Sequence, residues 1–335
     1  MKKNILLTGA SGTVGFEVLK QLLEKDCYHI SVFDIESNDS KRKFAKLKQN
    51  FEIIYGNISQ LYDVEKVTKN KDVVIHLAAI IPPLADENPD LAYRVNVLGT
   101  QNLIESLEKN SPNSFFVYSS SISVYGDRLQ NPNIKVTDSL LPSQGDEYAV
   151  TKIEAERLIQ NSALDWSIFR LAAIMGNHKI SKLMFHMPLD THVEICTPED
   201  TARAFVHAID KKEQLNKKIF NLGGGAECRI TYRELLTKSF DLFGLGKLDF
   251  PEKSFAEKNF HCGNYVDGDI LEDILHFRQD DLDDYFEKVK KGVNPIVKGL
   301  TEVVKPLVKK RLMKVSEPYE AYIKKDKVLM ERFFN

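Results

Sequence analysis

Tyr148 and Lys152 are spaced in a way that could support proton transfer. They lie four residues apart in a stretch with helical periodicity, "DEYAVTKIEAERLI" (146–159), and therefore share one face of the expected helix. A lysine ammonium beside a phenol favours the phenolate and lowers the phenol pKa from about 10 toward neutral pH. Tyr148 could then act as both acid and base. Tyr62 and Lys66 share this spacing, but no other reactive residue accompanies them, so we expect an ordinary surface helix there.

A run of hydroxyl side chains provides a second candidate for chemistry. The stretch "SSSISVYG" (119–126) follows the apolar run "FFVY" (115–118), a pattern typical of a strand that enters a turn. One hydroxyl could bind a reacting oxygen, while the others cap backbone groups of the turn. We expect Ser119, Ser120 or Ser123 to have the capping role, which would leave Ser121 as the candidate for chemistry.

A glycine motif, "TGASGTVG" (8–15), separates the first apolar run from the first helical pattern through Gly9, Gly12 and Gly15. Glycines there allow a tight turn and bring the helix N-terminus close to a pyrophosphate. Asp34 closes the next apolar run and is placed to accept hydrogen bonds from an adenosine ribose. Its carboxylate repels a 2′-phosphate, which favours NAD over NADP. Lys41 and Arg42 could soften this preference by folding back.

The elements that must position these residues alternate along the chain. Helical patterns such as 14–25 and 89–109 separate seven apolar runs, at 4–9, 30–34, 51–56, 72–79, 114–120, 166–172 and 218–224. Continuous apolar strands alternating with helices indicate an α/β fold with a parallel sheet covered on both faces. We therefore predict a doubly wound, Rossmann-type sheet with a smaller C-terminal substrate lobe, and a ligand in the cleft between them.

The same pattern gives the domain organisation. Residues 1–175 are predicted to form the nucleotide-binding domain, to which the chain returns at about 198–222. Residues 176–197 and 223–290 form the substrate lobe, and 291–335 a basic helical extension in which Pro306 is expected to split the helical pattern. That extension could touch an anionic membrane surface or an acidic partner, but is rather expected to pack on the acidic segment 267–288 or on a neighbouring subunit.

Composition restricts the function classes. A net charge of -2 over 335 residues gives no reason to expect a nucleic-acid partner. The four cysteines are scattered without a paired motif, which favours reduced thiols in the cytoplasm. No apolar stretch approaches the roughly 18 residues that a membrane span needs. His178, His186 and His192 lack a ligand-like spacing, so no metal site is expected.

The chain resembles the extended short-chain dehydrogenase/reductases, in particular the NAD-dependent epimerase/dehydratase family. The resemblance rests on the glycine motif, "SSSISVYG" and the Tyr148/Lys152 pair. It also includes "HLAA" (76–79), "NVLGT" (96–100), "FRLAAIMG" (169–176) and "KIFNLGGGAECRITYRELL" (218–236). These motifs follow the family's order and spacing over most of residues 4–236.

The resemblance implies site residues at matching positions. It assigns catalytic roles to Ser121, Tyr148, Lys152 and Asn96, with Asn96 near the lysine. Hydride then moves between NAD and a carbinol carbon while Tyr148 exchanges the proton. The family usually has Asp where this chain has Asn57. The residues implied for NAD binding are Gly9, Ser11, Gly12, Thr13, Val14, Gly15, Asp34, Asn57, Ile58, Leu77, Ala78, Ala79, Asn96, Tyr148, Lys152, Leu171 and Ala172.

Three functions remain open, and a 4-epimerase-like activity on a nucleotide sugar is favoured. Dehydration is disfavoured because Ile122 and Ser123 stand where dehydratases of this family carry Asp and Glu. Candidate cations for a sugar-nucleotide pyrophosphate are Lys179, Lys182 and Arg229.

The first alternative is a dehydrogenase or reductase of a small or hydrophobic alcohol or ketone, since the segments 177–195 and 80–89 are rich in apolar side chains. The second is a non-catalytic NAD-sensing protein. Family members are often dimers, so we expect a homodimer through helices near 89–109 and 147–161.

Overall fold

A computed structural model of the chain describes residues 2–47, 50–176 and 182–334. The strands are β1 (Lys3–Thr8), β2 (Tyr28–Asp34), β3 (Glu52–Tyr55), β4 (Val73–His76), β5 (Phe115–Ser121), β6 (Asn133–Ile134), β7 (Asp165–Leu171), β8 (Ala173–Ile174), β9 (His192–Cys196), β10 (Lys218–Leu222), β11 (Arg229–Thr231) and β12 (Asn264–Tyr265). Each of the seven predicted apolar runs overlaps one strand of the central sheet.

The longer helices flank the sheet or build the C-terminal half, and shorter ones lie in the connections. The helices are α1 (Thr13–Lys25), α2 (Asn38–Phe44), α3 (Leu61–Glu65), α4 (Leu84–Glu87), α5 (Pro89–Ala92), α6 (Gly99–Asn110), α7 (Glu147–Asn161), α8 (Leu183–His186), α9 (Pro198–Ala208), α10 (Lys212–Leu215), α11 (Tyr232–Leu242), α12 (Asp269–Leu275), α13 (Leu282–Gly292), α14 (Pro295–Met313), α15 (Glu317–Lys324) and α16 (Lys327–Phe333).

The central sheet is parallel, with the strand order β3-β2-β1-β4-β5-β7-β10. The chain builds outward from β1 through β2 and β3, then crosses back to place β4 on the other side of β1. A crevice opens at the carboxyl ends of the strands where the winding direction reverses. The predicted doubly wound, Rossmann-type sheet is confirmed.

Two apolar layers cover this sheet because successive strand residues point to opposite faces. Leu7 packs with Val18 of α1 and Phe205 of α9 on one face. Its neighbour Leu6 packs with Leu103 of α6 and other residues on the opposite face. Burial on both faces explains why these strands are almost entirely apolar.

The predicted helix over 89–109 is interrupted. Between α5 and α6 the chain forms a π-helical segment, Tyr93–Leu98, that contains Asn96. A π-helical turn inserts one residue into the helix and changes the direction of the side chains within it. Periodicity alone does not distinguish such a turn from a continuous α-helix.

The C-terminal half forms a second apolar core. The short strands β8, β9 and β11 pair in a three-stranded sheet, and the residues around them bury Phe185, Phe240 and Phe255. Residues of α14 pack against this core, whereas Phe333 of α16 packs in a smaller cluster with Ala321 of α15. Among the described residues, no helix is long and apolar enough to cross a bilayer.

The expected split at Pro306 is wrong. The helix α14 continues through this residue from Pro295 to Met313. A proline inside a helix removes one backbone hydrogen bond, here the one to the Glu302 carbonyl. Both residues are exposed, so water can solvate that carbonyl and the helix persists.

Candidate active site

The loop between β1 and α1 leaves no room for side chains. Gly9 has a φ of +72°, and a Cβ at this position would lie 2.6 Å from the backbone nitrogen of Ala78. A Cβ at Gly15 would lie 2.1 Å from the Gly9 carbonyl oxygen. The loop therefore lies directly against the end of β4, and the N-terminus of α1 begins in it at Thr13. This bare backbone fits the approach of a pyrophosphate, as the glycine spacing predicts.

Asp34 lies at the edge of this loop. One carboxylate oxygen accepts a 2.7 Å hydrogen bond from the Ser11 backbone N–H, and the other accepts one of 2.8 Å from Ile35. Burial raises the pKa of Asp34, and the hydrogen bonds from Ser11 lower it in part. The carboxylate is thus fixed against the glycine loop, where the sequence predicts a ribose contact.

The two cations that could soften the preference for NAD, Lys41 and Arg42, pair with carboxylates other than Asp34. Lys41 pairs with Glu36 at 2.6 Å and Arg42 pairs with Asp39 at 2.7 Å, on the exposed side of α2. Lys43 pairs with Asp39 at 2.9 Å and also donates a 2.7 Å hydrogen bond to the Ser11 carbonyl.

The remaining residues predicted for the cofactor follow strand ends at the same sheet edge. Leu77, Ala78 and Ala79 follow β4, Leu171 and Ala172 end and follow β7, and Asn57 and Ile58 follow β3. The Asn57 side-chain carbonyl accepts hydrogen bonds of 3.0 and 2.8 Å from the Ser59 backbone and hydroxyl. The Ile58 side chain is buried beneath Gly99 of α6, where a Cβ would lie 2.7 Å from it.

Lys152 is buried beside the carboxyl end of β5. Its ammonium donates a 2.7 Å hydrogen bond to the Ser119 carbonyl and lies 5.6 Å from the centre of the Tyr148 ring. Only 1% of Lys152 is exposed. Burial lowers its pKa to about 7, and the Glu156 carboxylate opposes this shift. Helix α7 therefore places the two residues together, as their four-residue spacing predicts.

Ser121 joins this pair from the end of β5. Its side chain hydrogen-bonds to the Tyr148 phenol. Burial and the Asp146 charge nevertheless raise the pKa of Tyr148 well above its usual value, and the hydrogen bond with Ser121 only opposes this shift. The expected lowering of this pKa toward neutral pH is therefore not found in the cofactor-free protein. The same hydroxyl oxygen accepts a 3.1 Å bond from the Ser123 backbone N–H. Ser121 therefore caps the turn itself, while the Ser119 hydroxyl donates a 3.3 Å hydrogen bond to the His76 carbonyl, as expected of a capping serine. Among the described residues, the Ser120 and Ser123 hydroxyls are buried without a partner.

Asn96 acts through backbone groups of the loop after β4. Its amide oxygen accepts a 2.7 Å hydrogen bond from the Ile80 N–H, and its amide nitrogen donates to the Ile80 carbonyl and the Thr151 hydroxyl, both at 2.9 Å. These bonds join the π-helical segment to that loop and to α7. Thr151 is the neighbour of Lys152, so Asn96 positions the lysine indirectly.

Two buried networks that the sequence did not reveal support the site. His76 bridges Thr8 at 2.7 Å and Thr100 at 3.0 Å, and burial lowers its pKa to about 3, so it stays neutral. Arg170 makes a two-pronged ion pair with Glu156, at 3.0 and 2.7 Å. The sequence offered one sign of the second network. Lys152 and Glu156 are four residues apart, which places both side chains on one face of α7.

A cavity of about 360 Å³ lies beside the N-terminus of α7. Asp86 lines it and accepts a 3.4 Å hydrogen bond from the Tyr148 backbone N–H. The C-terminal helices α15 and α16 form the opposite wall. The lining residues are Pro83, Asp86, Glu87, Gly145, Lys182, Leu183, His186, Glu317, Glu320, Ala321, Lys324, Asp326, Leu329 and Arg332.

Arg332 is the cation in this cavity whose charge is least satisfied. In the described part of the chain its guanidinium forms no ion pair, and its Nε is buried without a hydrogen-bond partner. Its charge acts at longer range on Asp86 in the same cavity, where burial raises the Asp86 pKa and Arg332 lowers it in part. The guanidinium lies 3.2 Å from the position of a Cβ on Gly145, three residues before Tyr148. Lys324, by contrast, pairs with Glu320. Sequence reasoning missed Arg332 because it lies in a segment without a family motif.

The predicted pyrophosphate cations are largely paired. Lys182 pairs with Glu87 at 3.1 Å and Glu317 at 3.0 Å. Arg229 pairs with buried Glu194 at 3.0 Å and donates to the Tyr265 carbonyl at 2.8 Å. Lys179 lies outside the described residues.

The predicted apolar segment 177–195 contributes residues both to the core of the C-terminal lobe and to the cavity. Met184 and Phe185 are buried in the lobe core, and Leu183 lines the cavity. His186 pairs with Glu317 at 2.8 Å, and His178 lies outside the described residues. Within the described ranges, no group of three or more His, Cys, Asp or Glu side chains could hold a metal ion.

A family model decides the assignment of this site. The model for the NAD dependent epimerase/dehydratase family matches residues 5–223, which contain the glycine loop, Ser121, Tyr148 and Lys152. The chain belongs to this family. The predicted membership is confirmed, and the bare glycine loop with Asp34 at its edge fits the cofactor that gives the family its name.

Relatives in the family differ in chemistry. D-erythronate dehydrogenase of Haemophilus influenzae is 28% identical over 182 residues, 51% of this chain and 54% of the relative. The UDP-glucose 4-epimerase of Pisum sativum is 32% identical over 197 residues, 54% of this chain and 55% of the relative. The chain thus spans about half the length of each of these curated relatives.

Solved structures share the fold over a greater length. The UDP-glucuronic acid 4-epimerase of Bacillus cereus, solved with UDP-glucuronic acid and NAD, has a TM-score of 0.70 and 22% identity. The match covers 89% of this chain and 99% of that structure. At 22% identity this similarity supports the fold alone, and the substrate has to be inferred from the residues of the cavity.

Proposed function

We propose that the protein is an NAD-dependent dehydrogenase of a compact secondary alcohol that carries an acidic group. The observation that carries this proposal is the cavity at the N-terminus of α7, in which the Arg332 guanidinium has no ion-pair partner in the described chain. The cavity connects to the site through Asp86, which accepts a hydrogen bond from the Tyr148 backbone N–H. Arginine binds carboxylates through two parallel hydrogen bonds, so a hydroxy acid or keto acid matches this group. The resemblance to D-erythronate dehydrogenase supports the same substrate class.

The residues of this chain divide the reaction into binding and proton transfer. When bound along the glycine loop, NAD supplies the acceptor for a hydride. The Tyr148 phenolate takes the proton of the substrate hydroxyl, and the Ser121 hydroxyl hydrogen-bonds the same oxygen. The charge of the Lys152 ammonium favours the phenolate and so opposes the burial that raises the Tyr148 pKa. The substrate thereby loses one hydride and one proton and becomes a ketone.

A nucleotide-sugar 4-epimerase is the second candidate. The chain is 32% identical to a UDP-glucose 4-epimerase over half its length, and Ile122 removes the acid that dehydration would need. Against this candidate, Lys182 and Arg229 already have carboxylate partners, so a pyrophosphate would have to displace Glu317 or Glu194.

A substrate panel separates the two candidates. Purified protein is desalted and mixed with NAD and either short hydroxy acids, neutral secondary alcohols or UDP-sugars, with NADH followed by absorbance and sugars by chromatography. We expect NADH formation with hydroxy acids. Interconversion of UDP-sugars without added NAD, by protein that retains the cofactor through desalting, would contradict the proposal and favour the epimerase.

A further inference from the structure

Helix α14 carries a row of aliphatic side chains that the protein does not cover. Ile296, Leu300, Val303 and Leu307 are between 62% and 80% exposed, and we name them the α14 stripe. Their spacing of four, three and four residues places them on one face of the helix. Val297 and Val304 lie beside them and are also exposed. Within the described residues, this is a continuous apolar face of about three turns.

The helix is held in place by a different face. Val308, Leu312 and Met313 pack against the apolar core of the C-terminal lobe. Lys309 pairs with Asp249 and donates a 2.6 Å hydrogen bond to the Lys247 carbonyl. The α14 stripe is thus presented outward by a helix that is anchored to the folded lobe.

The charges around the α14 stripe have one sign. The helix contains five Lys or Arg residues and a single acidic residue, Glu302. Glu302 lies toward the lobe, where its Cγ is 2.9 Å from the position of a Cβ on Gly244. Lys310 and Arg311 follow Leu307 by three and four residues, so they flank the stripe, and both are exposed. In the described part of the chain neither has an ion-pair partner.

We propose that α14 binds the surface of an anionic lipid bilayer, with its axis in the plane of the interface. A helix with an apolar face bordered by cations inserts the apolar side chains at the acyl boundary and pairs the cations with lipid phosphates. The five basic residues prevent it from crossing the bilayer. This proposal concerns where the protein works and is independent of the proposed dehydrogenase activity.

Charge favours lipid over a second copy of the chain. A two-fold interface places the same patch of both copies face to face. A parallel pair of stripes would bring Lys310 and Arg311 of the two copies together, and an antiparallel pair would place them beside the first turn of the partner helix, which contains no acidic residue. Anionic headgroups neutralise the same cations, and the apolar stripe meets acyl chains instead of water.

Vesicle sedimentation tests this inference on the full-length protein. The vesicles are phosphatidylcholine alone or with about 30% phosphatidylglycerol, a mixture with a negative surface potential. We expect sedimentation with the anionic vesicles and at least about tenfold weaker binding to the neutral ones, since each basic residue near the surface contributes roughly 1 kcal/mol.

Two variants separate the apolar and charged parts. Leu300→Glu with Leu307→Glu should reduce binding to anionic vesicles at least about tenfold, because two apolar anchors are lost. Lys310→Glu with Arg311→Glu should do the same and should abolish the dependence on salt. The matched controls Ile270→Glu and Lys25→Glu alter exposed positions of α12 and α1 and should bind like the wild type.

Sedimentation velocity in the absence of lipid tests whether the α14 stripe is instead an interface between two copies of the protein. If the protein ignores anionic vesicles, and Leu300→Glu with Leu307→Glu dissociates a dimer, the stripe is a protein interface and the proposal is wrong. Equal binding of the stripe variant and the wild type to anionic vesicles would also overturn it. Because the stripe is exposed, these variants should keep the wild-type thermal unfolding temperature, which checks that they fold.

Discussion

The Lys152 ammonium donates a 2.7 Å hydrogen bond to the backbone carbonyl of Ser119. This bond fixes helix α7 to the end of β5, two residues before Ser121. It therefore sets the position of the Tyr148 phenol relative to the Ser121 hydroxyl, to which that phenol hydrogen-bonds. A buried lysine thus supports the geometry of the proposed proton-transfer pair and supplies its charge.

The burial of Lys152 predicts a pH-dependent effect on stability. Its pKa is about 7 in the folded protein and near 10.5 in the unfolded chain. Between these values the unfolded chain binds more protons, so this residue makes stability rise with pH. Lys152→Met removes the penalty of burying a charge and should stabilise the cofactor-free protein by about 2–4 kcal/mol at pH 7.

Urea unfolding at pH 6, 8 and 10 measures this effect. The advantage of Lys152→Met should be largest at pH 6 and should shrink toward pH 10. Lys66→Met is the control, because Lys66 is exposed and should show little difference at any pH. A variant that is equally destabilised at all three pH values would show that Lys152 is not buried as a charge.

The close packing of the glycine loop predicts that a methyl group is harmful at Gly15 but harmless at an open glycine such as Gly292. Gly15→Ala places a methyl group 2.1 Å from the Gly9 carbonyl oxygen, so the backbone must move. We expect a loss of about 1–3 kcal/mol in the free energy of unfolding, together with loss of NAD binding measured by calorimetry. Gly292→Ala meets no atom within 4 Å and should leave both quantities unchanged. Normal NAD affinity in Gly15→Ala would exclude the loop as the pyrophosphate site.

Asp34 predicts the choice between the two nicotinamide cofactors. Its carboxylate lies at the edge of the glycine loop and should repel a 2′-phosphate. Asp34→Ser should therefore lower the ratio of NAD to NADP affinity at least tenfold, by about 1.4 kcal/mol or more. Titration with both cofactors checks this, and Asp26→Ser, at an exposed turn, should leave the ratio unaltered.

The position of the Arg332 guanidinium in the cavity predicts where the acidic group of a substrate binds. Arg332→Leu should raise KM for a hydroxy acid about tenfold or more while changing kcat little, because the guanidinium contacts a group remote from the reacting carbon. Lys324→Met lines the same cavity but removes a cation that already pairs with Glu320, so its KM should change little. A fall in kcat without a change in KM would contradict a binding role for Arg332.

The sheet and its cofactor edge could be predicted because their signals are local. Each strand is a continuous apolar run, and the glycines, Asp34 and the Tyr148/Lys152 pair are recognised within short windows. Parallel strands then bring their carboxyl ends to one edge whatever the loop lengths. The hydrogen bonds of Asn96 and Ser121 depend on a π-helical turn and a 3-10 turn, which periodicity does not reveal.

The substrate side could not be predicted because its contacts are distant in sequence. Glu317 reaches back to His186, and Arg332 reaches Gly145, across 131 and 187 residues respectively. Nothing near Arg332 in the sequence marks it as a cavity residue. The same holds for the exposed α14 stripe, since amphipathic periodicity does not say which face the protein covers.

The central claim is that Tyr148 transfers the proton while NAD takes the hydride. The most direct test is the rate of NADH formation by wild type, Tyr148→Phe and the surface control Tyr62→Phe, with the best substrate from the panel. We predict a fall of at least about 100-fold in kcat for Tyr148→Phe, with unchanged NAD affinity and a normal rate for Tyr62→Phe. A Tyr148→Phe variant that forms NADH at the wild-type rate would contradict the account.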